Sequence, residues 1–289
     1  MKLYRILLAV LLLVCPLFAD AKKPSKASNE KIKVMSFNLR FVTPKDTSEF
    51  HWTARREPVV QMLTKVCPDV VSFQENGQQW QDYLQKNLPD YVFYLPENEG
   101  FEPLPKGTSL LMSWRKDKYE KVDAGRFFLS ETPEVPSTGF GSRHYRNTVW
   151  VKLKNLKTGK EFYVFDTHLD HKAALAKEKG AQMNVEMAKK IVGEDIPVFF
   201  MGDMNIRRES SIGHYLNPYY EWMKSAADNA KKAENTPTSN GFGKRKTMTV
   251  IDYLFYRHAV PLKYEVINEP DYGVKYISDH WPIMGTFKF

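Results

Sequence analysis

Cysteine is nearly absent from this chain of 289 residues, which holds two, Cys15 and Cys67. Two thiols can build neither a disulfide scaffold nor a four-cysteine zinc site. Glycine (15) and proline (17) are too few and too irregularly spaced for a collagen-like or low-complexity chain. Apolar runs are short throughout, whereas a membrane-spanning helix needs about 20 apolar residues. A Gly-Lys-Ser/Thr phosphate loop is missing, which disfavours nucleotide-driven motor chemistry. So is a Gly-x-Ser-x-Gly elbow, which disfavours a serine hydrolase. What remains is 43% hydrophobic and 26% charged, with 42 basic against 34 acidic side chains and a net charge of +8. That is a globular chain long enough to bury a core without staples. Its positive balance suits phosphate-bearing partners and equally suits plain solubility.

The first 21 residues read as an export signal. Lys2 and Arg5 precede an apolar run from Ile6 to Phe18, and Ala19-Asp20-Ala21 supplies a small-x-small cleavage site. The expected destination is periplasmic or extracellular. A lipoprotein is the weaker alternative, because Val14 precedes Cys15 where a small residue is expected. Residues 22–31 are Lys-rich and polar, a flexible lead-in. No repeat or linker divides 32–289, so one domain, acting as a monomer, is expected there. Cys67, between Val66 and Pro68, reads as a buried structural thiol.

Short bursts rich in Val, Ile, Phe and Tyr predict strands over Ile32–Phe41, Val70–Phe73, Ser109–Trp114, Thr148–Leu153, Phe162–Leu169, Val198–Met201, Val250–Tyr256 and Ile283–Phe289. Several are apolar on both faces, as in sheets covered on both sides. Helical spacing links Trp80, Tyr83, Leu84 and Leu88. Further helices are expected over Trp52–Val66, opening around Pro58, and Ala173–Val192. Long Pro/Gly/Ser-rich loops cover Leu95–Gly107, Ser130–Arg146 and Asn235–Met248. Strands mixed with helices imply an α/β layered fold.

Strand after strand ends or begins with a polar residue that a core would reject: Asn38, Glu75, His168, Asp203 with Asn205, Asp252, and Asp279 with His280. Singly each has a dull explanation as a cap, a turn or a satisfied histidine. Together Glu75, Asp203, Asp252 and Asp279, with Asn38 and Asn205, form an all-oxygen set suited to Mg²⁺, Mn²⁺ or Ca²⁺ rather than a thiolate-bound zinc. Four acids in one cleft repel one another, so a divalent cation is expected among them. His168 and His280 supply groups that exchange protons near neutral pH. That kit fits hydrolysis of phosphate esters by a metal-activated water.

In order along the chain, Ser-Phe-Asn-Leu-Arg, Asp69 through Gln74-Glu75, Thr167-His168, Gly202-Asp203-Met204-Asn205, Ile251-Asp252-Tyr253 and Ser278-Asp279-His280 resemble the endonuclease/exonuclease/phosphatase superfamily. The resemblance runs from about Ile32 to Phe289 and implies an α/β four-layer sandwich: two mixed β-sheets packed face to face, with helices on both outer sides. It implies metal ligation by Asn38, Glu75 and Asp279. It implies catalytic roles for Asp203 on the attacking water, Asn205 on the phosphate, His280 at the phosphate oriented by Asp252, and His168 as the second histidine. More locally, Phe127–Pro133, Arg146, Trp150 and Thr-His-Leu-Asp-His resemble an exported bacterial subgroup. In that setting Arg143, Arg146, Asp170 and His171 are candidate substrate-binding residues, a guanidinium matching phosphate oxygens in bidentate fashion. Asp166 stands where many members carry Asn, and it either adds charge near the metal or caps a strand.

The expected protein is thus a secreted, Mg²⁺- or Mn²⁺-dependent hydrolase acting on a small phosphate ester. A nonspecific DNA or RNA endonuclease is the alternative within the same chemistry, disfavoured by Glu97, Glu99, Glu102 and Glu131 in the long loops. A non-catalytic binding module on the same fold is the third reading.

Overall fold

The computed structural model describes residues 30–96, 110–234, 236–244, 246–268 and 272–289. The expected signal peptide, almost all of the lead-in, and Glu97, Glu99 and Glu102 lie outside the described residues. Numbered along the chain, the first sheet runs β10 (Lys232–Ala233), β12 (Val260–Val266), β13 (Ile283–Lys288), β1 (Lys31–Asn38), β2 (Val70–Gln74), β4 (Leu110–Arg115), β3 (Tyr91–Tyr94). The second runs β5 (Tyr119–Phe128), β6 (Asn147–Asn155), β7 (Glu161–His168), β8 (Val198–Asp203), β11 (Asp252–Arg257), β9 (Lys224–Ser225). Both are mixed. The β1–β2 and β7–β8 pairs are parallel, while β13 and β11 run antiparallel to β1 and β8.

Alternation along each strand sorts the core into three layers. Val34, Val70, Met112, Val151, Val164, Phe199, Met201 and Leu254 pack between the sheets. Their neighbours in sequence point the other way. Met35, Phe37, Val71 and Phe73 meet helices α1 (Trp52–Val66) and α2 (Gln78–Asn87) through Val59, Met62, Leu63, Trp80 and Leu84. Phe165, Phe200 and Phe255 meet α3 (Ala174–Ile191) and α4 (Asn217–Trp222) through Val185, Ala188 and Tyr219. A short α5 (Ala226–Asn229) follows α4. The result is the four-layer sandwich expected from the sequence. Each large apolar side chain buried in it contributes about 1.5–3 kcal/mol.

Several expectations change in detail. Helix α1 starts at Trp52 under an N-cap from the His51 ring, so Pro58 lies inside it rather than at its opening. Cys67 is half-buried at the end of α1, in a left-handed conformation (φ 50°), with its sulfur accepting from Arg115 at 2.9 Å. Strands β5 and β12 were not expected, because charged or Pro-containing stretches such as Glu120-Lys121 and Pro261 mask their alternation; the four-residue β3 and two-residue β9 and β10 were not expected either. Ser278-Asp279-His280 does not open the last strand; β13 begins at Ile283, after those residues.

Parallel strands bring their carboxyl ends to one edge, and antiparallel neighbours bring their amino ends to the same edge. Asn38, Glu75, His168 and Asp203 follow or close β1, β2, β7 and β8, while Asp252 opens β11 directly opposite Asp203. The segment Ser278–His280 precedes β13 at that edge and is bridged to Ser239. Gly202 makes the close approach possible. Its φ is 144°, and a Cβ added there would lie 1.9 Å from the Thr167 carbonyl oxygen, so only glycine lets β8 deliver Asp203 beside His168.

Candidate active site

Asn38 bridges two acids at this edge. Its Nδ2 donates to Glu75 Oε1 at 3.2 Å and to Asp203 Oδ2 at 3.1 Å, while its Oδ1 accepts from the Arg40 amide at 3.0 Å. Glu75 also accepts from the Phe41 amide at 3.0 Å. Arg40, Glu75 and Asn205 all have positive φ (60°, 55° and 51°). Non-glycine residues in that region store strain that the surrounding structure must over-determine, and such residues cluster at functional sites.

Asp203 sits at the centre. Its Oδ1 accepts from the Asn205 amide at 2.9 Å, and its Oδ2 lies 3.5 Å from His168 Nε2 and 3.9 Å from His280 Nε2. Burial raises its carboxyl; the imidazolium of His280 opposes this, the charges of Asp252 and Glu75 add to it, and the result is about 7. His280 Nδ1 lies 2.9 Å from Asp252 Oδ2, which also accepts from Thr238 Oγ1 at 2.5 Å. Burial alone would lower His280, but Asp252 and Asp203 outweigh it and push it up to about 10, so the ring is a cation at neutral pH. His168 goes the opposite way. Burial, and after it the charge of Arg146, hold it well below the usual histidine range, so it is neutral. Two histidines on one carboxylate therefore stand in opposite protonation states.

Asp279 joins through Arg40, whose guanidinium lies 3.8 Å from its carboxylate and pairs with Asp46 at 2.9 Å. Asn205 donates to the Leu169 carbonyl at 3.1 Å, tying the turn after β8 to the end of β7. Asp170 is buried and accepts from Ser142 Oγ at 2.8 Å and from the amides of Lys172 and Ala173 at 2.7 Å each, so it fixes the turn into α3. His171 is exposed, with Nδ1 3.4 Å from Arg146 Nη2. Arg143 is exposed and makes no ion pair or hydrogen bond among the described residues; the structure does not bring it to the cluster. Asp166 is fully buried between the sheets, accepting from Gln74 Nε2 at 2.6 Å, and burial raises its carboxyl well above the usual carboxylate range.

The donor set fits a hard divalent cation. Carboxylate oxygens of Glu75 and Asp203 gather on the Asn38 amide nitrogen, and burial drives the Asp203 carboxyl toward protonation. Candidate ligand atoms of Asp203, Asp252 and His280 also lie within 4.8 Å of one another. In that trio His280 Nδ1 is held by Asp252, while its Nε2 faces Asp203 at 3.9 Å.

Three contributors were missed in the sequence. Arg55, fully buried in α1, donates to the carbonyls of Leu39 (2.7 Å), Phe50 (2.7 Å), Ile277 (3.0 Å) and Arg40 (3.3 Å), tying the segment after Asn38 to the one before Asp279. Lys177 lies buried on α3. Both break an apolar helical stripe, with Val59 and Met62 after Arg55 and with Ala181 and Val185 after Lys177, and that interruption was the available signal. Thr238, beneath Asp252, lies in a loop with no such mark.

The chain belongs to the endonuclease/exonuclease/phosphatase family, which it matches over residues 35–280. Among solved structures it is similar to a family member from Bacteroides vulgatus (TM-score 0.80, 26% identity, 90% of this chain and 99% of that one). It is also similar to the Bacteroides thetaiotaomicron mannosyl-6-phosphatase Bt3783 (TM-score 0.77, 25% identity, 89% of this chain and 100% of that one). A sphingomyelinase C of Listeria ivanovii is 24% identical over 197 residues, 56% of this chain and 59% of the relative.

Proposed function

We propose that the protein is a divalent-metal-dependent hydrolase of small phosphate esters, with Mg²⁺ or Mn²⁺ as the resident ion. The observation that carries this reading is the meeting of Asn38, Glu75, His168 and the Asp252–His280 pair around Asp203 at one edge of the sandwich. A mannosyl-6-phosphatase and a sphingomyelinase C among the similar proteins agree with phosphate-ester chemistry.

Glu75, Asn38 and Asp279 would hold the ion, which when bound lowers the cost of charge building on the phosphoryl oxygens. Asp203 orients the attacking water and takes its proton, having lost its own. The water oxygen forms a bond to phosphorus while the phosphorus–oxygen bond to the leaving group breaks. His280, cationic and held by Asp252, faces the phosphoryl group and supplies a proton to the departing oxygen. Neutral His168 donates a hydrogen bond to the phosphoryl oxygens, and Asn205 orients the same group. Arg146, Asp170 and His171 line the substrate side.

Residues 1–21 would direct export to the periplasm or beyond; the amino-terminal sequence of the protein recovered outside the cytoplasm tests this. The chemistry is tested by turnover of p-nitrophenyl phosphate, bis-p-nitrophenyl phosphate, inositol phosphates, phospholipids and plasmid DNA, with Mg²⁺, Mn²⁺ or chelator. Chelator-sensitive turnover is expected, and Glu75→Ala, Asp203→Asn and His280→Ala should each lower kcat about 10²–10⁴-fold. Full activity in any one variant removes that residue from the mechanism. Plasmid cleavage alone would replace the small-ester reading with a nuclease.

A further inference from the structure

Beside the catalytic edge, three separate segments contribute one line of aromatic rings. The Phe50 ring stands 4.8 Å from that of Phe242 and 6.5 Å from that of Tyr276, and the Tyr276 ring stands 5.4 Å from that of Trp281. Backbone hydrogen bonds fasten this line to the site. The Asn240 and Gly241 amides donate to the Asp279 carbonyl at 2.9 Å each, and the Trp281 amide donates to the Thr238 carbonyl at 2.6 Å. Arg55 holds the carbonyls of Phe50 and Ile277 at 2.7 and 3.0 Å. Trp281 follows His280 directly in the chain, so the line of rings begins beside the histidine that serves the departing oxygen. Phe50, Tyr276 and Trp281 all stay partly in solvent. The loop that meets Tyr276 is strained: Phe242 has φ 57° and ψ 32°, and a Cβ added at Gly243 would lie 2.4 Å from the Tyr276 hydroxyl oxygen. Two ammonium groups stand over the rings, Lys244 Nζ at 4.5 Å from the Phe50 centroid and Lys275 Nζ at 5.3 Å from that of Tyr276.

Partly exposed rings that a strained loop holds against a hydrolytic centre make a binding surface rather than a core. We propose that Phe50, Tyr276 and Trp281, with the ammonium of Lys244, hold the leaving group, and that this leaving group is a cyclic polyol such as a hexose. Phe50 meets Phe242 at 31° and Tyr276 at 47°, and Tyr276 meets Trp281 at 33°, so no two neighbouring faces stand parallel to sandwich a flat base. A saturated ring lays its C–H face on one aromatic face, and its hydroxyls accept from the ammonium. An acyclic alcohol would leave the rings in water. The inference rests on the phosphate-ester reading above and names the class of alcohol that is released.

The test measures kcat/KM by phosphate release from the 6-phosphates of glucose, mannose and galactose, from glycerol 3-phosphate and from adenosine 5′-monophosphate. The purified protein with Mg²⁺ is compared with Tyr276→Leu and Phe50→Leu. The wild type should favour the best hexose ester over the glycerol ester about 10-fold or more, and each variant should lower that ratio about 5- to 20-fold, the worth of one aromatic contact. A variant that folds poorly lowers both esters alike, so the ratio separates lost recognition from lost fold. A ratio that moves less than about twofold in both variants overturns the proposal. So does a wild-type preference for the glycerol or the adenosine ester over every hexose ester. Calorimetric titration of the same esters into Asp203→Asn gives a second readout that does not need turnover. A hexose ester should bind more tightly than the glycerol ester there, and adding Tyr276→Leu should remove the difference. Equal binding of the two esters in Asp203→Asn refutes the aromatic surface. Should no phosphate ester turn over, the phosphate-ester reading falls, and this titration still decides the surface.

Discussion

Asp166→Asn is expected to stabilise the protein, increasingly so as pH rises. The Asp166 carboxyl is 0% exposed, one oxygen accepts from Gln74 Nε2 at 2.6 Å, and the other has no partner. Burial holds its pKa well above the ordinary value of 3.8. Above that value the unfolded chain has released this proton while the folded chain still binds it. Stability therefore falls with rising pH, by about 1.4 kcal/mol per unit, until the folded group itself ionises. An asparagine keeps the acceptor for Gln74, offers an amide donor in place of the unpartnered carboxyl oxygen, and does not titrate. Urea unfolding of both proteins at about pH 5 and about pH 6 should show the advantage of the variant growing with pH, by at most about 1.4 kcal/mol per unit, other titrating groups cancelling in the difference. A difference that is constant with pH would show that Asp166 is ionised in the folded state and refute the reasoning.

Gly202→Ala should destabilise the fold by several kcal/mol or yield insoluble protein, because the new methyl group meets the Thr167 carbonyl; thermal unfolding and soluble yield check this. Arg55→Met leaves four carbonyls without their donor and should cost about 3 kcal/mol or more by urea unfolding. The same variant should weaken Mn²⁺ binding in calorimetry, because Arg55 ties together the segments that carry Asn38 and Asp279. Thr238→Val removes the hydroxyl on Asp252 and should lower stability by about 1–3 kcal/mol, with kcat falling more than KM rises.

The sequence alone determined the layers and the chemistry at the strand ends. Doubly apolar bursts such as Val198–Met201, short and rich in Val and Phe, read as strands covered on both faces, and hydrophobic burial favours that outcome locally. Polar residues closing such bursts, Asn38, Glu75 and Asp203, were visible because a core excludes them. Strands whose alternation is blurred by surface charge, such as β5, were not visible, since edge and solvent-facing residues carry little burial signal.

Only the tertiary structure decided how the groups act on one another. His168 and His280 are the same residue type, yet the Asp252 carboxylate makes one a cation while burial and Arg146 keep the other neutral. Asp166 could have been a charge at the metal, and its place between two sheets raises its carboxyl well above the usual range. Arg143 and Arg146 read alike along the chain, but one lies in solvent and the other is buried, with a nitrogen 3.4 Å from His171. Charge state and reach depend on burial and on partners far along the chain, 28 residues apart for His280 and Asp252 and 92 for Asp166 and Gln74, and those pairings are fixed when the two sheets close on each other.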